Sequence, residues 1–404
     1  MKIVAAIILS FSLALHAAGK IYNVRAYGAK GDGTNLDTVA IQIALDACGQ
    51  TGGTVLFPPG IYLSQPLTLR PETTLLLDAG AMLKATDDPK DYLPADVSWN
   101  DILDGSKKGP ITSFISGEDL TDITICGAGI IDGSGAKWWI PAEAARRKKP
   151  GYTLPRPNLI VLKRVKNLRV QDVTLQNSPK FHFVPTDCEN VVVSNVTILA
   201  PQHAANTDAI DPSSCENVLI TKCKIDVGDD NVAIKSGHKI EGRDFASENI
   251  TVSDCTFLHG HGMSIGSETD AGVRNVTVKN CTFENTENGL RIKSDIRRGG
   301  LVENISYSDI RMTNVDPAIT FTCFYMNNSA KDALKPAAPK KKNAPSTDEK
   351  IPMYRNITIS NLTAVCERSA GVILGLPDNC ISNVVFENVN ISAKTGLTIR
   401  NAKG

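Results

Sequence analysis

A right-handed parallel β-helix is the fold this sequence predicts. Three observations predict it: a repeated nine-residue pattern, period-two alternation inside each repeat, and no sustained helical periodicity between repeats. The pattern is Asn, apolar, x, apolar, x, polar, apolar, x, apolar. It runs NLRVQDVTL at 167, NVVVSNVTI at 190, NVLITKCKI at 217 and NITVSDCTF at 249, then NVTVKNCTF at 275, NISYSDIRM at 304, NITISNLTA at 356 and NVVFENVNI at 383. The intervals are 23, 27, 32, 26, 29, 52 and 27 residues, the 52 reading as two coils or as one coil with a large insertion. Alternation of apolar and polar residues is a strand signal. Strands that recur at such intervals without helices between them form a solenoid, in which stacking buries a stripe that one coil alone leaves exposed. The repeated Asn suits a sharp turn and a ladder of stacked amides. A β-sandwich would need hairpin turns every 8–12 residues or so, and these are scarce here.

In chain order, residues 1–18, MKIVAAIILSFSLALHAA, read as a signal peptide cleaved near Ala17/Ala18. The run is too short for a bilayer span. An exported protein, periplasmic or secreted, is therefore expected, with residues 19–404 as one solenoid domain. Residues 35–50 are the clearest helix, with Val39, Ile41, Ile43, Ala44 and Ala47 on its apolar face. Its expected place is over the open N-terminal end of the solenoid, covering exposed strand edge. Arg146, Arg147, Lys148 and Lys149 form a basic segment read as a loop, and residues 329–352 a long Pro- and Lys-rich loop containing Lys340, Lys341 and Lys342. The closing LTIRNAKG reads as the opening of a further coil, with no capping segment after it.

Charge narrows the function. Lys and Arg total 43 against 43 Asp and Glu, a net charge of zero. A nucleic-acid binder normally shows a basic excess, and no second apolar run is long enough for a membrane. The ten Cys of an exported chain invite disulfides. However, Cys223, Cys255 and Cys281 fill one slot of the repeat, taken elsewhere by Val173, Val196, Ile310, Leu362 and Val389, and so read as small buried hydrophobes. No CxxC pair suggests zinc, and no cofactor is expected. The assembly is left open, with a monomer as the default.

Four adjacent coils carry unusual polar residues just before or within the second strand of the coil: Asn206-Thr207-Asp208, Gly228-Asp229-Asp230, Gly260-His261-Gly262 and Arg291-Ile292-Lys293. Aligning AID, AIK, SIG and RIK stacks Ile210, Ile234, Ile265 and Ile292 inward and turns Lys235, Arg291 and Lys293 outward on one face. Neighbouring coils lie about 4.8 Å apart, so residues from the four coils share one cleft. Clustered carboxylates suit glycosidic hydrolysis, one protonated to release the leaving oxygen and one ionised to activate water. Crowding raises one of their pKa values. The cations would bind anionic groups of the substrate. Asp208, Asp229 and Asp230 also read as ligands of calcium, as in a pectate lyase of the same solenoid class.

With NTD, DD, GHG and RIK all present, the sequence resembles the polygalacturonase family, glycoside hydrolase family 28, and its bacterial-type members in particular. YGAKGDGTNLDTVAIQIALDAC at 27–48, GAGIIDGSGAKWW at 127–139 and RPNLIVLKRVKNLRVQDVTLQNSP at 156–179 add to the likeness. The resemblance implies inverting hydrolysis of α-1,4-galacturonosidic bonds without a metal, on polygalacturonate or its oligomers. It implies Asp229 as general acid, Asp208 and Asp230 as holders of the water, and His261 as their helper. Arg291 and Lys293 would take the uronate carboxylate, with Asn206, Lys235 and Tyr325 as further substrate contacts. Asn231 replaces the Cys usual after DD in fungal members, and KFHF follows NSP where a Trp-containing run is usual, leaving His182 without a role. Exo action is expected if the segment at 146–149 closes the non-reducing side. An endo-polygalacturonase or a rhamnogalacturonan hydrolase is the alternative.

Overall fold

The computed structural model describes residues 19–107, 109–149, 152–237, 245–296, 298–325, 351–377 and 381–404. The leader at 1–18 and the basic triplet at 340–342 lie outside them.

Each Asn of the repeat sits at the left-handed φ that turns the chain into its strand, from 52° at Asn383 to 60° at Asn167. Asn tolerates this conformation better than other side chains. Register follows from it. Strand Lys166–Gln171 pairs in parallel with Glu189–Ser194, that strand with Glu216–Thr221, and the series continues through Ser247–Ser253 and Val273–Lys279. Asn190, Asn217, Asn249, Asn275, Asn304, Asn356 and Asn383 each donate an amide N–H to the Asn one coil before, at 2.9–3.3 Å. Strand Leu301–Thr313 pairs directly with Met353–Val365, so the 52-residue interval is one coil with an insertion.

Inward residues form continuous rows, such as Leu168, Val191, Val218, Ile250, Val276 and Ile305, none more than 3% exposed. Burying one such side chain contributes about 1.5–3 kcal/mol. A net hydrogen bond contributes about 0.5–1.5 kcal/mol, and the ladder amides are exposed. The rows therefore supply the stability and the ladder fixes the register. Cys223, Cys255 and Cys281 are buried in one row as expected, and the nine described Cys are free thiols.

Three corrections arise. Helix α1 (Thr38–Cys48) packs on the N-terminal coil through Ile41, Ala44, Leu45 and Cys48, while Val39 and Ile43 face solvent. Beyond the short helix α2 (Trp99–Asp104), the basic segment belongs largely to helix α3 (Ala136–Lys148), which buries Trp138, Trp139 and Ala142 and carries Arg146, Arg147 and Lys148 in its last turn. Ile210 pairs with Phe183 and Val232, not with Ile234, because the coil between NTD and DD is shorter than its neighbours. Ile234, Ile265 and Ile292 do stack, followed by Phe321. Among the described residues no helix is long and apolar enough to cross a membrane.

Candidate active site

One side of the solenoid is a sheet that breaks in the coil of NTD. Strand Phe183–Thr186 lies before the break and Val232–Ser236 after it, bridged only by isolated pairs at Ile210 and Ser213. Ala209 N donates to Asp230 O at 2.9 Å and Asn231 N to Gly262 O at 3.1 Å. Two residues before the pairs Ile210–Val232 and Val232–Met263, that register sets Asp208, Asp230 and His261 in one row.

The turns are built for this placement. Gly260 and Gly262 have φ of 105° and 73°, and a Cβ on either would meet Asp229 O at 2.4 Å or Asn288 O at 2.1 Å. Asn231 pins the same loop, donating to His259 O and accepting from Gly262 N, at 2.7 and 2.8 Å. The departure from the Cys-containing pattern thus has a local structural role.

All four expected catalytic residues come together. Asp229 Oδ1 accepts from His261 Nδ1 at 2.9 Å and from Asp230 N at 3.0 Å. Asp230 accepts from Lys293 Nζ at 2.5 Å, from Ser264 Oγ at 2.8 Å and from Arg291 Nη1 at 3.3 Å. Tyr325 lies against both cations, its ring centroid 5.4 Å from Arg291 and 5.2 Å from Lys293. The expected substrate contacts Asn206 and Lys235 are bound to the acids. Asn206 N donates to Asp229 Oδ2 at 3.2 Å while its own Oδ1 accepts from Arg156 at 2.8 Å. Lys235 Nζ donates to Asp211 at 2.5 Å and to Asp208 at 3.4 Å.

The proton is placed differently from the sequence expectation. Burial, with Asp211 and Asp229 nearby, pushes Asp208 well above the usual carboxylate range. Burial also presses on Asp229 and Asp230, but His261 holds the first low and Lys293 with Arg291 the second. His261 is itself pushed up to about 10: burial opposes its charge, and Asp229 and Glu287 overcome this. Burial and the neighbouring acids therefore raise Asp208, which has no cation as close as Lys293 is to Asp230, while Asp229 shares the charge of an imidazolium.

Asp211, Glu287 and Arg156 were missed by sequence reasoning. Asp211 lies three residues after Asp208 and is 1% exposed. Glu287 Oε2 lies 3.2 Å from His261 Nε2, and the residue stands just before NGLRIK. Arg156 opens the RPNLI stretch and is 4% exposed. His182 now has a role: it is fully buried behind Asp208, with Nδ1 3.1 Å from the Asp208 carbonyl oxygen.

Burial pulls His182 down to about 4. Its folded pKa is depressed, so its contribution to stability is present above the unfolded value near 6.5 and is lost as pH falls towards 4. The difference in thermal midpoint between wild type and His182→Asn should shrink across that window; a constant difference would show that the imidazole does not titrate there.

Donor atoms of Asp229, Asp230 and His261 lie within 4.8 Å of one another, close enough to share a cation. Lys293 and Arg291 already lie on Asp230.

Separately charged carboxylates set side by side on neighbouring coils of a β-helix define a carbohydrate hydrolase of the acid–base type. Residues 97–403 match the profile of Glycosyl hydrolases family 28, and the chain belongs to that family. Residues 21–93 match the rhamnogalacturonase A/epimerase, pectate lyase-like profile. An endo-polygalacturonase of Pectobacterium carotovorum subsp. carotovorum is 36% identical over 377 residues, covering 90% of this chain and 86% of the relative. The structure of a polygalacturonase from Erwinia carotovora ssp. carotovora superposes with TM-score 0.78 at 32% identity, covering 97% and 98% of the two chains. An exopolygalacturonase from Thermotoga maritima gives 0.75 at 28%, covering 95% and 91%.

Proposed function

We propose that this glycoside hydrolase cleaves α-1,4-galacturonosidic bonds of polygalacturonate with inversion. The observation that carries the reading is the division of labour among three neighbouring acids. Asp230 is kept ionised by Lys293 and Arg291, while Asp229 is hydrogen-bonded to a protonated His261. A bound uronate adds negative charge and displaces water, and both raise the Asp229 carboxyl. The proton on His261 Nδ1 then passes over the 2.9 Å bond to Asp229 and on to the leaving oxygen as the glycosidic C–O bond breaks. Water attacks the anomeric carbon from the other face and gives its proton to Asp230. Asp208, whose Oδ1 has no hydrogen-bond partner among the described residues, helps to hold that water. The cations around these acids suit a uronate better than a neutral sugar.

Exo action is the finer reading, with an exported enzyme acting outside the cytoplasm. Its support is the basic end of α3. Burial pulls Arg156 down to about 10 and the charge of Arg146 adds to this, so the helix end lies near the residue that holds Asn206. Polygalacturonate hydrolysis followed by proton NMR and product sizing tests the whole reading. The expected result is a first-formed β-anomer, with monomer or dimer from the earliest time and slow loss of viscosity. An initial α-anomer contradicts inversion. A rapid viscosity drop with mixed oligomers leaves an endo enzyme, and preference for rhamnogalacturonan moves the substrate. Unsaturated products lost with chelator would make it a lyase.

A further inference from the structure

The row of catalytic residues continues one coil beyond Asp208. His182 N donates to Asp208 O at 2.9 Å, and Phe183 pairs with Ile210. Phe181 is therefore the register neighbour of Asp208, about one coil spacing of 4.8 Å away. This is the KFHF segment, one of the two places where the sequence departs from its family's usual pattern. Lys180 Nζ and Lys235 Nζ each lie 4.5 Å from the centroid of the Phe181 ring. The two lysines differ in their partners. Lys235 binds Asp211 and Asp208, whereas Lys180 makes no ion pair among the described residues. Burial lowers the Lys180 pKa, and Arg156 and Lys235 press in the same direction, against the weaker pull of Asp208 and Asp211. A desolvated ammonium beside other cations is unfavourable without a counter-ion, and an aromatic face offsets this only in part. Asp208 and Asp211 are nearby but paired with Lys235, so what the Lys180 ammonium lacks is a carboxylate of its own.

We propose that Lys180, held against Phe181, forms a uronate subsite, taking the carboxylate of the sugar one coil N-terminal to the sugar at Asp208. Coil spacing is close to the length of one sugar, so the neighbouring unit of a chain lying along the row reaches this ammonium. The inference rests on the polygalacturonate reading and adds which sugar beyond the reacting pair is read by its charge, and by which residue.

The test is steady-state kinetics of wild type, Lys180→Met and Lys180→Arg on galacturonate oligomers, free and methyl-esterified, with thermal midpoints. Lys180→Met keeps the apolar stem and removes the charge. Losing a charge-assisted hydrogen bond should raise KM on the free acid about tenfold or more. Expected with it are an unchanged kcat, a midpoint no lower than wild type, a smaller effect on the ester and retention of most affinity in Lys180→Arg. An unchanged KM overturns the subsite, as does an equal fall on both substrates with a lowered midpoint. Lys180→Gln serves the same comparison if the Met variant does not fold. Wild type that leaves free galacturonate oligomers uncut overturns the underlying function instead, before any variant is compared.

Discussion

Asp229→Asn should lose about 10²–10⁴-fold in turnover of polygalacturonate, the usual contribution of a general acid, while binding oligogalacturonide nearly as well as wild type. The amide has the volume of the acid and keeps its Oδ1 as acceptor for His261 and for Asp230 N. It has no proton to give to a leaving oxygen. The structure sharpens the test, because among Asp208, Asp229 and Asp230 it is Asp208 that burial leaves raised, and so Asp208 competes for the acid role. A galacturonide with a nitrophenyl leaving group separates the candidates, since that group departs without protonation. Asp229→Asn should recover much of its activity on such a substrate and Asp230→Asn should not. Recovery in Asp208→Asn but not in Asp229→Asn would transfer the acid to Asp208.

The architecture was legible because one residue type does two jobs. Each repeat Asn takes the left-handed turn and bonds the Asn above it, so turn and register left a single visible period. Signals failed where burial or local register decides. Val39 and Ile43 have the right hydrophobicity for the α1 core face but stand on its exposed side, and Leu45 takes the place expected of them. Helix α3 buries residues only in its first half, so its basic end carried no apolar stripe to be read. Ile210 was misaligned because AID and AIK look alike, while the hydrogen bond from Ala209 N to Asp230 O sets the true step. At the site, the residue types named the chemistry and their coil positions gathered them. Ownership of the charge was hidden, because it depends on how deeply Asp208 is enclosed and on which cation reaches Asp230. Glu287 and Asp211 were missed for a related reason: an acid beside a turn has no signal of its own until the fold sets it against His261 or Lys235.

Lys293→Met should abolish activity on charged and esterified substrates alike, by about 10²-fold or more, as expected for a lost general base. Sequence alone suggested a selective effect, with the ammonium reading only the uronate. Lys293 and Asp230 are instead a buried pair, 4% and 2% exposed and 2.5 Å apart. Removing one member of such a pair leaves a buried charge and costs about 3–5 kcal/mol. Without Lys293, burial and the neighbouring Asp229 raise the Asp230 carboxyl, and a protonated Asp230 cannot take a proton from water. The sign of the pH dependence follows. In wild type the folded pKa of Asp230 is lowered, so its contribution to stability is present above about 3.9 and lost as pH falls further. In the variant the folded pKa lies above the unfolded one, so acid favours the fold. The stability deficit should therefore be largest at neutral pH and shrink towards pH 4, as read by denaturant unfolding across that range. Adding Asp230→Asn to the variant should recover most of the stability and none of the activity. Loss on polygalacturonate alone, with methyl-esterified substrate still turned over, would show that Lys293 reads the substrate carboxylate and that Arg291 suffices to hold Asp230.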